Sequence, residues 1–531
     1  MYPADVISKI RSTITPDRKF AFLSAFGTGL LVHFYRLTNH LLTWDSVYNF
    51  YDPQNKVGHG RCFLTLGCGI SSYYDIQWII GLFSLLWLSL TCVCLAEIFA
   101  LRRKGLIFLT SAITVTFPSV AGTFAYMYTA DGYFLAQLTA TLAVLVTIRF
   151  RKGWIGGLFL LAFSYGSYQA YVSYAVMLIL TWLVLQIIRK GIASEGSTSP
   201  AASADPAQTA ATPTLQVQTA RLLLMGICGT VLYFIANKVL VLLQHETLAA
   251  YNGIGSMSVP GPSECVVAVR NSLIDFAYFF FGPLDKGYLF KGINILLFVV
   301  LITLVLIAWS RMKVCRIKGI LLTLLCFAAM PFACFMIYFV SSDVRYYMLM
   351  EAGLSLIYLL PLLLYETLHL YDDDEPRFVG KCIISWLAIL AVIASAFYFI
   401  IVDNISYLYM TTSNEKTFYL LSRMAGVMEQ TEGYESANRL AVIGHFDGYD
   451  DIDLNLPPAM AGVRDSYIVS ESAHYTAMFD TYYGIRLDTY TRDEITSLQK
   501  ESDIMNMPCW PAPGSVKVKD HTVVIKISDE K

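Results

Sequence analysis

The stretch that decides the fold runs from residue 149 to residue 191 and reads "RFRKGWIGGLFLLAFSYGSYQAYVSYAVMLILTWLVLQIIRKG". Basic clusters bound an apolar run at 155–188 on both sides, and the positive-inside rule assigns both clusters to the cytoplasm. The chain must therefore enter the membrane, turn and return. The turn is predicted at "SYGSYQAY", residues 164–171. The first arm is then shorter than the roughly 20 residues of a standard span, which predicts a tilted or re-entrant helix.

The composition of the whole chain also indicates an integral membrane protein. Of its 531 residues, 56% are hydrophobic and only 15% are charged, whereas soluble proteins average about a quarter charged residues. The net charge of −2 leaves no basic excess to meet a phosphate backbone. A nucleic-acid partner is therefore not expected.

Further apolar runs predict a polytopic α-helical membrane protein with about eleven transmembrane helices, counting the two arms above. These runs lie near 20–37, 76–99, 106–125, 132–148, 222–243, 290–310, 319–340, 346–369 and 382–402. Three more basic clusters, "RSTITPDRK", "LRRKG" and "RMKVCRIK", fall on the same side as the first two. The N-terminus is therefore predicted to be cytoplasmic. Residues 265–283 contain an arginine and an aspartate that would be costly in lipid, and they are predicted to form an interfacial or re-entrant outer helix.

The polar segments suggest a division of the chain into four parts. An N-terminal membrane module, 1–190, includes a first outer loop at 38–75. A Ser/Ala/Thr/Pro-rich cytoplasmic linker, 191–217, is predicted to be disordered. A second membrane module covers 218–402, and an extracytoplasmic domain covers 403–531. In that domain "NEKTFYLLSRMAGVMEQ" has helical periodicity, "RLAVIGHF" resembles a buried strand and "SVKVKDHTVVIKIS" alternates as a hairpin does, so a small α/β domain is predicted.

Polar side chains from separate segments meet at the outer boundary in this topology. The first outer loop includes "HLLTWDSVYNFYDPQNKVGHGRCFL", residues 40–64, which is far longer than a turn and carries both charge signs. Further polar residues at the same boundary are Asp131, Tyr168, Gln169, Asp343 and Arg345. A transporter would more naturally carry its charges near the bilayer midplane. Charges at the rim favour an enzyme that uses a lipid-linked donor and an outer acceptor.

Motifs along nearly the whole chain resemble those of the GtrII-type bacterial membrane glucosyltransferases. They are "WD" and then "GR" in the first outer loop, "FPS…ADGYFLAQL", "YQAY", "NK" in the seventh span, and the closing "MPCWPAPGSVKVKDHTVVIKIS". The resemblance implies a GT-C-type fold in the bacterial cytoplasmic membrane and inverting transfer. It also implies a polyprenyl-phosphate sugar donor, most simply undecaprenyl-phosphate glucose, and a surface glycopolymer acceptor. The sequence departs from the family in one respect. Two neighbouring carboxylates are expected in the first outer loop, but Asp45 is followed by Ser46, and the next acid is Asp52.

The chemistry of such a transfer assigns roles to specific residues. A sugar hydroxyl benefits from a general base, and a carboxylate also stabilises an oxocarbenium-like anomeric carbon. Asp45 is the candidate base, and Asp131 is a candidate helper, acceptor ligand or divalent-metal ligand. A departing lipid phosphate calls for cationic hydrogen-bond donors. The candidates are Arg61, Lys238 and Arg345. The hydroxyls and one ring face of the sugar would suit Tyr168 and Gln169.

Each candidate also has a structural interpretation. Asp52 precedes Pro53 and fits a turn, Lys238 could snorkel to the interface, and the arginines could form ordinary ion pairs. No second His or Cys stands at ligand spacing from His59, so the sequence supports no definite cofactor. Two other functions compete with the enzyme: a transporter or flippase of lipid-linked sugar or polysaccharide, and a membrane scaffold that presents residues 403–531.

Overall fold

The computed structural model describes residues 2–192, 214–249, 261–282, 288–341, 343–370, 379–446, 456 and 460–529. Residues 193–213, which make up most of the predicted linker, lie outside the described residues. The first nine helices are α1 (Pro3–Thr13), α2 (Pro16–Thr38), α3 (Leu64–Cys68), α4 (Gln77–Phe99), α5 (Lys104–Thr116), α6 (Pro118–Ala125), α7 (Met127–Arg149), α8 (Gly153–Ser167) and α9 (Tyr171–Ile192). The others are α10 (Leu215–Leu243), α11 (Pro262–Phe281), α12 (Tyr288–Arg311), α13 (Arg316–Cys334), α14 (Ser355–Thr367), α15 (Val379–Glu429), α16 (Ser472–Met478), α17 (Arg492–Leu498) and α18 (Ser502–Met505).

The protein is a mostly helical, multi-pass membrane protein. Among the described residues, nine helical segments are long and apolar enough to cross a bilayer. Every predicted span overlaps a helix, but the span at 106–125 is divided into α5 and α6 at Phe117. Helices α8 and α14 are short, with 15 and 13 residues. The predicted turn is confirmed, because α8 ends at Ser167 and α9 begins at Tyr171. The described part of the predicted outer helix, up to Phe281, lies in the separate helix α11, which is not among the nine.

Basic clusters that the sequence assigns to one side of the membrane do meet at one end of the helix bundle. Glu97, at the end of α4, accepts hydrogen bonds from Arg18 of α2 at 2.8 Å and from Arg149 of α7 at 2.9 Å. The Arg189 guanidinium, from the end of α9, donates to the carbonyl of Phe99 at 3.0 Å. These contacts gather basic residues at one end of the bundle. The polar loops lie at the other end of α7.

The last predicted span does not end at residue 402. It continues as one helix, α15, over the 51 residues from Val379 to Glu429, and this helix includes the first helix predicted for the C-terminal domain. The segment contains no proline, and its glycines lie only near the two ends, so no backbone signal interrupts the hydrogen-bond ladder. One continuous helix therefore links the membrane bundle to the polar C-terminal region.

The C-terminal region forms a small α/β layer around a four-stranded sheet, as predicted. Its strands are β1 (Arg439–Ile443), β2 (Asp488–Thr489), β3 (Val516–Lys519) and β4 (Thr522–Lys526). The order is β2-β1-β4-β3, with β1 parallel to both neighbours and β3 antiparallel to β4. Asp520 and His521 turn the β3–β4 hairpin with positive φ at both positions, as a type I′ turn requires. One face of the sheet packs on the outer part of α15 through Leu421, Met424 and Met428.

Candidate active site

A cavity of about 710 Å³ lies at the end of α7 that is remote from Arg149. It is lined by the first outer loop, the start of α7, the α8–α9 turn, the segment after α13 and a segment of the C-terminal region. Its residues are Trp44, Asp45, Arg61, Tyr126, Tyr128, Tyr133, Tyr168, Gln169, Ala170, Ile337, Val344, Arg345, Tyr347, Leu349, Met350, Met460, Ala461, Gly462, Arg464 and Asp465. Five of the seven predicted site residues therefore share one cavity.

The first outer loop presents Asp45 on a single turn of 3₁₀ helix, Asp45–Tyr48. Ser46 holds this turn, because its hydroxyl accepts a hydrogen bond from the Thr43 amide at 3.1 Å and is 2.9 Å from the Thr43 hydroxyl. The Asn49 side chain closes the turn by donating to the Asp45 carbonyl at 2.5 Å. Ser46 is buried and does not line the cavity, whereas its neighbour Asp45 does.

Arg61 follows a tight turn that depends on Gly60. The φ of Gly60 is +70°, and a Cβ there would lie 2.3 Å from Nε2 of Gln169. That Nε2 donates to the His59 carbonyl at 2.8 Å, and the Tyr233 hydroxyl donates to the Gly60 carbonyl at 3.1 Å. Gln169 lines the cavity as predicted, but part of its amide is used to hold the Arg61 turn.

Tyrosine rings support both predicted arginines of the cavity. The Arg61 guanidinium carbon lies 5.3 Å from the ring centre of Tyr168 and 5.7 Å from that of Tyr133. These two rings stack with their centres 4.1 Å apart. Arg345 lies 5.7 Å from the ring centre of Tyr347. Contacts of this kind hold a guanidinium over an aromatic face and fix its orientation.

The charge balance around Asp45 suits a base. Withdrawal from bulk water raises the pKa of Asp45, while the positive charges near it, from His474, Arg61 and Lys56, act in the opposite direction. His474 is held against the loop, since its ring centre is 5.2 Å from that of Tyr48. A carboxylate with a raised pKa binds a proton more strongly and is therefore a stronger general base than a solvated aspartate.

Asp465 and Arg464 are cavity residues that the sequence did not single out. They lie in the C-terminal region, where acids and arginines are common and no motif sets these two apart. Burial and, after it, the negative charge of Asp45 together raise the pKa of Asp465 to about 6. A second carboxylate of the cavity is thus contributed by a distant part of the chain.

Asp131 and Lys238 do not line the cavity. The Asp131 side chain is fully buried on α7, where its Oδ1 accepts from the Gly132 amide at 2.8 Å. Lys238 is an exposed residue of α10 and is not among the cavity residues, which fits the snorkelling interpretation. Asp52 is a loop residue as expected, since it accepts from the Gln54 amide at 2.7 Å and pairs with Lys56 at 2.5 Å. Among the described residues, no group of three or more His, Cys, Asp or Glu side chains could hold a metal ion.

Comparison with protein families identifies the family of this chain. A family described as glucosyl transferase GtrII matches residues 34–358, which is more than half of the chain. The chain belongs to the GtrII glucosyl transferase family. No curated protein matches the chain, and no solved structure does.

The GtrII match covers only part of the cavity wall. Asp45, Arg61, Tyr168, Gln169 and Arg345 lie inside the matched residues 34–358. All of α15 and the segment with Arg464 and Asp465 lie beyond them. Membership of the family supports a glucosyltransferase role.

Proposed function

We propose that this protein transfers a glucosyl residue from a polyprenyl-phosphate donor, most simply undecaprenyl-phosphate glucose, to a surface glycopolymer. The observation that carries the proposal is the joint presence of Asp45, Arg61 and Arg345 in one cavity of a GtrII-family membrane protein. The reaction needs a base for the acceptor hydroxyl and cations for the leaving phosphate. The carboxylate can accept the proton, and the arginines can bind the phosphate.

The proposed reaction has a simple balance. The acceptor hydroxyl oxygen forms a bond to the anomeric carbon of the donor, and Asp45 takes the hydroxyl proton. The bond between that carbon and the phosphate oxygen breaks, and the electron pair leaves with the phosphate. Arg61 and Arg345 would bind the phosphate, since guanidinium groups pair with phosphate oxygens through two parallel hydrogen bonds. Aromatic walls such as Tyr168 would pack on the sugar ring.

The proposal requires the cavity to face the outside of the cytoplasmic membrane, with the N-terminus in the cytoplasm. The basic end formed around Glu97 supports this orientation, because basic clusters are retained on the cytoplasmic side. Single cysteines placed at two exposed serines test it: Ser497→Cys on α17 and Ser12→Cys on α1. In intact cells an impermeant thiol reagent should label the first above the background of the parent protein and the second only after lysis. The reverse pattern would invert the orientation and refute an outer active site.

The direct test of function is mass spectrometry of surface glycans from cells with and without this protein, followed by transfer assays with the purified protein and synthetic polyprenyl-phosphate glucose. We expect surface glycans to gain single hexoses only when the protein is present. If the polymer instead changes in amount at the surface, with no added sugar and no transfer in vitro, the transporter interpretation is correct.

A further inference from the structure

The segment 460–467 forms one wall of the cavity although it lies outside the residues that match the GtrII family. Met460, Ala461, Gly462, Arg464 and Asp465 all line the cavity. This wall follows the long helix α15 in the chain and faces the first outer loop. Asp465 therefore lines the same cavity as Asp45.

Hydrogen bonds fix the segment and the first outer loop to the same stretch of α15. The Ser413 hydroxyl donates to the Asp465 carbonyl, and the Ile468 amide donates to the Thr417 hydroxyl at 3.0 Å. Between them, Asn414 bonds both the amide and the carbonyl of Leu42, at 2.8 and 3.0 Å. The helix therefore sets the position of both carboxylate-bearing segments.

Direct contacts then join the two segments next to their carboxylates. The indole N–H of Trp44, adjacent to Asp45, donates to the Tyr467 carbonyl at 2.7 Å. Gly462 has a φ of +74°, and a Cβ there would lie 3.0 Å from the Thr43 side chain. Only glycine accepts both that backbone conformation and that close approach without strain.

The two carboxylates interact electrostatically. The negative charge of Asp45 is one cause of the raised pKa of Asp465, after burial. Two acids that share a site do not ionise independently, and the pair holds its first proton more strongly than either acid would alone. Other ionisable or charged groups also face the pair, and they are Lys56, Arg61, Arg345, Arg464, Glu471, His474, Tyr48 and Tyr128.

We propose that Asp465 is the second carboxylate of the active site and a positioning residue that acts through Asp45. This inference rests on the proposed glucosyl transfer. When both acids are ionised, their repulsion is relieved as Asp45 takes the proton of the acceptor hydroxyl. Asp465 forms no bond to the sugar, and the proton that Asp45 takes up is held by the pair of acids. The charge of Asp465 thus increases the proton affinity of Asp45 at the step where a proton must be taken up.

The pH dependence of kcat/KM tests this role. The variants are Asp465→Asn, which keeps the shape and removes the charge, and Asp465→Glu, which keeps the charge. Loss of the neighbouring charge should lower the pKa of Asp45, so the acid limb should move down by about one pH unit and the plateau should fall about tenfold. The Glu variant should keep the limb of the parent. Asp480→Asn is the matched control, because Asp480 is exposed and pairs with Arg486 on the same side of the molecule.

An unchanged acid limb in Asp465→Asn, whatever its turnover, would overturn the proposal and leave Asp465 a structural residue. A second readout does not need activity. Infrared difference spectra of the purified proteins between pH 4 and pH 8, values chosen to span the range of about 4–6 in which carboxyl groups of this kind titrate, report carboxyl protonation directly. Asp465→Asn should shift the remaining Asp45 band to lower pH. Independent titration of the two acids would refute the pairing, while absence of glucose transfer by the unaltered protein would refute the proposed function instead.

Discussion

The first outer loop and the 460–467 segment each supply an acid and an arginine to the same cavity, yet only one of them is evident in the sequence. Asp45 and Arg61 stand between apolar runs, where charged residues are rare. Asp465 and Arg464 stand in a polar region with many acids and bases. Trp44 and Tyr467, which join the segments, are 423 positions apart. The difference shows that a charged functional residue can be recognised in the sequence when its neighbours are apolar. It cannot be recognised in this way when its neighbours are also polar or charged.

The largest expected effect separates Asp45 from Asp52, another acid of the first outer loop. Asp45→Asn preserves size but removes the base, so turnover should fall by roughly 10²–10⁴-fold. Donor binding should change little, because the lost interaction belongs to the transition state. Glucose transfer by the purified variants from a synthetic polyprenyl-phosphate donor measures this, with monodispersity as the folding check.

Asp52→Asn is the matched control for this prediction. Asp52 lies in the same loop but binds Lys56 and the Gln54 amide, outside the cavity. Its variant should retain most of the turnover. Near-normal glucose transfer by Asp45→Asn would show that Asp45 is not the base. A large loss of turnover in Asp52→Asn would assign the role of base to Asp52.

The next effect separates two cations that the sequence treated alike. Arg345→Met should weaken donor binding by roughly 10- to 150-fold, since a charge-assisted hydrogen bond contributes about 1.5–3 kcal/mol. Lys238→Met should leave donor binding unchanged, because Lys238 is exposed on α10 away from the cavity lining. Titration of both variants with the lipid donor measures the difference. Weakened binding in Lys238→Met would instead restore that lysine as a phosphate contact.

A smaller effect concerns the attachment of the first outer loop to α15. Asn414→Ala removes the partner of the Leu42 amide and carbonyl, both buried, and should lower the free energy of unfolding by about 1–3 kcal/mol. Asn404→Ala on the same helix is the control, because Asn404 is exposed and bonds only the carbonyl of Ile400. Thermal unfolding in detergent compares the two. Equal stability of the two variants would show that the hydrogen bonds between Asn414 and Leu42 contribute nothing to the free energy of unfolding.

The smallest effect concerns the direct tie between the two carboxylate-bearing segments. Trp44→Phe keeps an aromatic ring but leaves the Tyr467 carbonyl without its indole donor, at a cost of about 0.5–1.5 kcal/mol. Trp78→Phe, at an exposed position of α4, should cost less. The same unfolding measurement distinguishes them, and a larger loss at Trp78 would contradict the proposed tie.

The fold follows from the sequence where its signals are local. The turn at 168–170 was predictable because two basic clusters require the apolar run between them to reverse direction, and the β3–β4 hairpin because its side chains alternate. The continuity of α15 was missed, because a change from apolar to polar composition alters the environment of a helix without ending it. Lys238 carries the charge of a phosphate ligand and belongs to the "NK" motif, but it is exposed on α10 and does not line the cavity.

What the sequence determined by itself is therefore the course of the apolar segments, the common side of the basic clusters, and the first outer loop with Asp45 and Arg61. These properties depend on transfer of single segments between water and lipid, a free energy that is set residue by residue. Only the tertiary structure decided that Asp465 joins Asp45 in one cavity while Asp131 is buried apart from it. That choice depends on contacts of α15 with Leu42, Asp465 and Ile468, and such contacts form only when distant segments pack together.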